Sequence, residues 1–351
     1  MSSRRSLIVL GTWGLAAPAL ATRFVEPADT PALASALAAR SPLLAAAHAG
    51  ERAVAVGRRG TVVYTRDGGA TWTQAAVPVS VDLTAVCFPR PATGWAVGHG
   101  GVAIETRDGG ATWTKRLAGK QADEIALHHY ASRTSPTPQE RRAFERARMQ
   151  SAERRAQPFL DVMFEDEATG FVVGAFNTIF RTGDGGRSWV PWMDRSANPQ
   201  ELHFNAVRGH AGRVFLAGEQ GMVWRLGDDR SRFTPVPTPF RGTLFGLVVT
   251  DGGTILAFGM RGAALRSTDD GTSWQTVPLQ TSAGVTAGVA LERGPIALVD
   301  QAGTLHLSQD DGRTFAAVRP ARPVTCYGVA AGRPGTLVIA GAAGVRTVAL
   351  P

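Results

Sequence analysis

A register of small residues recurring about every 41 positions limits what this chain can fold into more than any other feature. Gly57, Gly98, Gly174, Gly218, Gly259, Asp300 and Gly341 stand at spacings of 41, 76, 44, 41, 41 and 41. The long gap equals one repeat plus 35 residues. A short apolar strand precedes each marker. A small residue follows three positions on: Gly60, Gly101, Asn177, Gly221, Gly262, Gly303 or Gly344. An alternating strand comes next, and another apolar strand lies upstream, as at 83–88, 159–164, 204–209 and 244–249. Each unit therefore reads as four short antiparallel strands, a to d from the axis outward. One such unit cannot bury both its faces, so neighbours must stack in a ring. The pattern predicts an all-β fold, a seven-bladed β-propeller of four-stranded antiparallel blades.

The c–d turns carry a second repeated signal. It reads TRDGGATW at 65–72 and again at 106–113, and TGDGGRSW at 182–189. Weaker copies lie at 226–233, 267–274 and 308–315. An aspartate can accept N–H bonds from the residues after it, and glycine supplies the positive φ of a tight turn. Asp67, Asp108, Asp184, Asp269 and Asp310 are thus predicted to be structural. Trp72, Trp113, Trp189 and Trp274, with Phe233 and Phe315, are predicted to cover these turns.

At these residues the chain resembles the Asp-box (BNR-like) propellers. More specifically it is similar to the photosystem II stability/assembly factor family and its non-photosynthetic bacterial relatives, above all over GWAVGHGGVAIETRDGGATW at 94–113. The resemblance covers nearly the whole chain outside the insertion. It implies an exported, non-enzymatic propeller that aids assembly or operation of a membrane protein complex. A transporter of the resistance-nodulation-division type is a partner suggested by family association alone. The basic rim residues of the photosynthetic members do not carry over, because those loops differ here.

The ends add two expectations. Arg4 and Arg5, an apolar run from Leu7 to Ala17 and the Ala19-Leu20-Ala21 pattern read as a signal peptide over 1–21. The export route is Sec or, given Ser3-Arg4-Arg5-Ser6-Leu7-Ile8, twin-arginine, and the location is periplasmic. Residues 22–351 then form one propeller, expected to be monomeric. The seventh repeat has strands a, b and c. The segment that begins Thr22-Arg23-Phe24-Val25 is therefore expected to supply its strand d and remove an exposed edge.

An insertion at 118–157 separates blades two and three. Its second half, 137–157, reads as a weakly amphipathic helix, with Pro138 and Glu140 in the first turn and Ala143, Ala147 and Met149 as a thin apolar stripe. In a four-stranded blade the b–c loops and d-to-a crossovers share one rim, and the Asp boxes lie on the other. The insertion therefore joins the b–c rim. There the repeat varies: Arg58, Arg59, His99, Asn177, Glu219, Gln220, Arg261 and Gln301 form the candidate partner-binding set, with Phe176 and Met260 beside them.

Charge and chemistry narrow the function further. The formal net charge is +8, but no Lys/Arg block reaches five residues and aromatics are not interleaved with the basic positions. With an export signal, this argues against nucleic acid as a partner. His128 and His129 are adjacent and unsupported by other ligands, so no metal or cofactor is expected. Cys87 and Cys326 fall two blades apart and are expected to stay as thiols. The competing reading is an Asp-box glycoside hydrolase, sialidase- or glucanase-like. Tyr327 is the one tyrosine near the axis, and Glu219, Asp161 and Glu201 are the rim carboxylates. Nothing marks two of them as a catalytic pair, so no catalytic residue is assigned.

Overall fold

A computed structural model describes residues 25–153, 156–291 and 294–350. It contains seven antiparallel sheets, six of four strands and one of three. The first blade runs Leu43–Ala49, Arg52–Gly57, Val62–Thr65 and Thr73–Gln74. Its a strand packs on that of blade two, Leu83–Cys87, and on that of blade seven, Cys326–Ala331, so the ring is closed. Every b strand is an apolar run buried on both faces, as in Gly170–Gly174. That is why the markers sit at its end: a Cβ on Gly57 would lie 2.4 Å from the Pro42 carbonyl oxygen.

The a strands carry a further device. Each begins with a register shift opposite the b strand, as between Leu83 and Ala85. In blade two the residue at the shift, Thr84, donates its hydroxyl to the Phe159 carbonyl of blade three at 2.8 Å. Asn205 of blade four bonds the Leu244 carbonyl of blade five at 2.9 Å, and Thr286 of blade six bonds the Cys326 carbonyl of blade seven at 2.8 Å. The same position holds Leu44, Leu160, Phe245 and Tyr327 in the other blades, so these brackets occur in every second blade.

In the c–d turns the aspartates accept bonds from their own turn, with partners beyond the aspartate. In blade one Asp67 accepts the Thr71 N–H at 2.9 Å and the Thr65 hydroxyl at 2.7 Å, while the Thr65 oxygen accepts the Gly69 N–H at 2.9 Å. Blades two, three, five and six repeat this with Thr or Ser at both outer positions. Blade four has Leu226 in place of the first hydroxyl, and the box is lost: Asp228 is 90% exposed and pairs only with Arg225. These bonds to the charged form hold the box carboxylates low, Asp184 and Asp269 at about 2. Each box also braces the preceding blade. A Cβ on Gly186 would lie 2.1 Å from the Trp95 ring of blade two.

The N-terminal closure is corrected. Residues 22–24 lie outside the described residues, and Val25 onward does not join blade seven. Pro27–Asp29 form a 3-10 turn against the crossover that leaves blade one. The Ser80 N–H donates to the Pro27 carbonyl at 2.8 Å, and the Ala32 N–H to the Val77 carbonyl at 3.0 Å. Lys115 of blade two pairs with Asp29. Proline at 27 and 31 removes two N–H donors that a ladder strand would use, and favours the turn instead. Among the described residues blade seven has three strands, and the ring closes by face packing. Leu43, Ala55 and Val63 cluster with Ala340, Trp72 and Val345, and Thr347 donates to the Gly68 carbonyl at 3.2 Å.

Candidate partner-binding rim

The b–c turns owe their exposed side chains to one backbone shape. In four blades the turn is a single 3-10 turn whose middle residue is left-handed: Arg59 (φ 53°), Gly100 (67°), Gln220 (57°) and Arg261 (57°). A glycine comes next because the turn presses on the next crossover. A Cβ on Gly60 would lie 1.9 Å from the Val79 carbonyl oxygen. The middle side chain is thereby driven outward, and Arg59, Gln220 and Arg261 are exposed, as are Arg58, His99 and Gln301. Glu219 instead accepts the His203 N–H at 2.8 Å and ties its turn to the crossover.

Blade three breaks the pattern. Phe176 and Asn177 are both left-handed (52° and 62°), with asparagine in the glycine position. Asn177 is 8% exposed and faces inward. Its amide donates to the Met193 carbonyl at 2.9 Å, and its oxygen accepts Ser196 at 2.7 Å and Asn198 at 3.1 Å. Asn198 in turn holds both main-chain groups of Leu202. This buried network fixes the crossover from blade three to blade four. Asn177 is a builder of the rim rather than an offered side chain, and Phe176 takes the exposed place at 40%.

The insertion packs on that crossover as two helices, one more than the sequence suggested. Helix α1 spans Gly119–Ala131 and helix α2 spans Pro138–Glu153. Thr137 caps α2 reciprocally: its hydroxyl accepts the Glu140 N–H at 3.2 Å, and Glu140 accepts the Thr137 N–H at 2.8 Å. The faces that meet the rim are narrow, Ala122, Ala126 and Tyr130 from α1 and Ala143, Ala147 and Gln150 from α2. Met149 is exposed, so the apolar stripe turns toward Gln150 instead. The Tyr130 hydroxyl donates to Asp194 at 2.9 Å and anchors α1 to the crossover. Burial, with Glu124 beside it, raises the Asp123 carboxyl of α1 to about 6.

Between α2 and blade three lies a groove of about 320 Å³. Arg142, Ala143, Arg146 and Gln150 line it from α2, and Phe176, Pro199 and Glu201 from the rim. The Arg146 guanidinium lies 4.7 Å from the Phe176 ring centre and 3.6 Å from a Glu201 oxygen. Its Nε is buried without an acceptor among the described residues. Gln150 is 7% exposed and lines the same groove. Arg142 is exposed and unpaired among the described residues. The groove thus offers an aromatic face, a cation and an amide able to donate and accept. That combination suits a peptide segment rather than a small apolar ligand.

The other candidates are spoken for or isolated. Asp161 is buried in strand a of blade three, where it accepts the Val207 N–H at 2.8 Å and pairs with Arg208 of blade four. Burial raises its carboxyl even so. Cys87 and Cys326 are free thiols, and burial, then the Asp161 charge, pushes Cys87 up to about 12. No group of three or more His, Cys, Asp or Glu among the described residues is placed to hold a metal ion. No helix among them is long and apolar enough to cross a membrane.

Comparison with known proteins agrees with this architecture. A family model described as photosynthesis system II assembly factor YCF48 matches residues 70–132 and 147–277. No curated protein matches the chain. Among solved structures, one described as YCF48 bound to D1 peptide is 18% identical, with a TM-score of 0.64 over 89% of this chain and 93% of that one. YCF48 from Cyanidioschyzon merolae is 17% identical, with a TM-score of 0.64 over 89% and 97%. A streptogramin B lyase, at 11% identity and a TM-score of 0.66 over 88% and 93%, shares the fold. The ring alone therefore does not choose between binding and catalysis.

Proposed function

The chain belongs to the photosynthesis system II assembly factor YCF48 family, and on that premise we propose that it is a non-enzymatic propeller that holds a segment of a membrane protein during assembly or operation of its complex. The observation that carries this reading is the groove between α2 and Phe176. Its walls come from the insertion and from the b–c turn of blade three, where Phe176 and Asn177 are both left-handed. The YCF48 structure described with a D1 peptide supports a peptide as the class of ligand. Export, a periplasmic location, a monomeric state and an RND-type transporter as client belong to the same proposal. The export signal lies at residues 1–21, outside the described residues.

The glycosidase alternative has little to build on. Glu219 serves the His203 main chain, Asp161 serves Arg208, and Glu201 serves Arg146. The discriminating experiment is a pull-down from cross-linked membranes with the unaltered protein and with a Phe176→Ser, Arg146→Glu double variant. Recovery of one membrane protein by the first and not the second is the expected result. Recovery of none by either, or turnover of sialosides or β-glucans by the purified protein, would overturn the reading.

A further inference from the structure

Blade seven ends in Gly344–Ala349, a six-residue c strand and the longest in the ring. The other c strands are four or five residues long, and each has a d strand beside it. The Leu350 N–H donates to the Gly335 carbonyl, which sets the phase of the ladder. Alternate residues of an antiparallel strand point their main-chain groups to opposite sides. Val345, Thr347 and Ala349 therefore aim N–H and C=O away from the b strand, and these groups have no main-chain partner among the described residues. Pairing across the b strand makes Val345 the counterpart of Val62, whose carbonyl accepts the Ala75 N–H in blade one.

The surroundings are also those of a d strand. Val348 and Leu350 are half-buried on the face toward blade six, against Val299, Leu307 and Leu337. In each other blade that region receives the aromatic that opens strand d, as Trp113 precedes Thr114–Leu117 and Phe233 begins Phe233–Val236. The described part of the N-terminal segment, from Val25, does not occupy this edge. Going toward the N-terminus it passes Gly344 at Ala39 and Arg40, then reaches blade two, where Lys115 holds the Ala28 carbonyl and Asp29.

We propose that the free edge of Gly344–Ala349 is a second binding site, taking by strand addition an extended segment of a partner protein, an aromatic residue followed by two to four residues of high β-propensity. Main-chain bonds to Val345, Thr347 and Ala349 hold the segment, and its aromatic packs on Val348 and Leu350. The site is independent of the groove beside Phe176 and does not rest on the function proposed for it.

The test uses a fluorescent peptide copying residues 111–118, the d strand of blade two, titrated into the full chain. Saturable binding is expected. It should weaken by at least about tenfold when the peptide is N-methylated at alternate residues, which removes the ladder donors and leaves the side chains. An Ala349→Pro variant, which removes an outward N–H at an exposed residue, should weaken binding at an unchanged melting temperature, and Phe176→Ser should bind as before. No binding, or equal binding of the peptide and its N-methylated copy, would overturn the proposal. So would binding seen only when the chain is shortened to begin at Val25, because the chain's own preceding residues would then be the occupant.

Discussion

The two rims of this ring place charge and left-handed backbone to opposite ends. On the Asp-box rim, the box aspartates of blades one, two, three, five and six are surrounded by donors from their own turns, and the left-handed positions are mainly glycines pressed against the preceding blade. On the b–c rim, Arg59, Gln220 and Arg261 accept a left-handed backbone with a full side chain, and that side chain points into solvent. One rim spends its unusual residues on bracing, and the other on display. A repeat fold can do both because the two turn types never share a rim.

The largest expected effect falls on the bracing rim. Gly186→Ala combines a left-handed position with a Cβ driven into Trp95, and should cost about 3 kcal/mol in urea unfolding. A loss below about 1 kcal/mol would show that the boxes are surface ornament. Next in size is the groove. Phe176→Ser with Arg146→Glu should weaken partner binding by about tenfold or more while moving the urea midpoint little, since Phe176 is partly exposed. An equal loss of stability would place Phe176 among the braces and blur the distinction.

A smaller effect has the opposite sign. Gln220→Gly should be neutral or stabilise by up to about 1 kcal/mol, because glycine removes the left-handed strain and Gln220 packs on nothing. On the other rim most left-handed c–d turn positions already carry glycine, with Arg230, Asp270 and Asp311 as exceptions.

The smallest effect separates the rims by pH. The box carboxylates lie below the ordinary value of 3.8, so their contribution is present above 3.8 and is lost as acid takes the pH toward about 2. Asp123 is raised to about 6, so the native state binds the extra proton between 3.8 and 6. The α1 helix is therefore held best below 3.8 and loosens as pH rises through 6. Between pH 4.5 and 7 the box carboxylates stay ionised while the insertion responds. Protection factors of α1 amides, which divide out the intrinsic pH dependence of exchange, should fall over that range and fall less in Asp123→Asn. A global change in exchange would break the assignment.

The ring was legible in the sequence because each marker glycine is required by a close backbone approach, so the register survives variation in the side chains around it. The box aspartates were legible for the same local reason, although the hydroxyls at Thr65 and Thr71 were needed to explain why blade four lacks a box. What was hidden depended on contacts between distant segments. Helix α1 buries Gly119, Ala122, Ala126 and Tyr130, too thin a stripe to stand out, and Ala118 caps it with no side-chain bond. Asn177 reads as a rim residue until its partners, 16 to 21 positions away, fold beneath it. The groove needs α2, a b–c turn and a crossover at once, and no local motif announces that meeting. The strand-closing role of Val25 and its successors failed because Pro27 and Pro31 suit a turn, and the crossover of blade one offered bonds first.

The hydroxyl and amide brackets of Thr84, Asn205 and Thr286 join blades two with three, four with five and six with seven. Seven is odd, so pairing must leave one member single, and that member is blade one. Four seams carry no such bracket, and blade one is the one blade with an unbracketed seam on both sides. Among the described residues the seam with blade seven carries no main-chain bridge like that between Ala76 and Thr112 on the other side. The ring is thus three doublets and a singlet, and the singlet adjoins the three-stranded sheet.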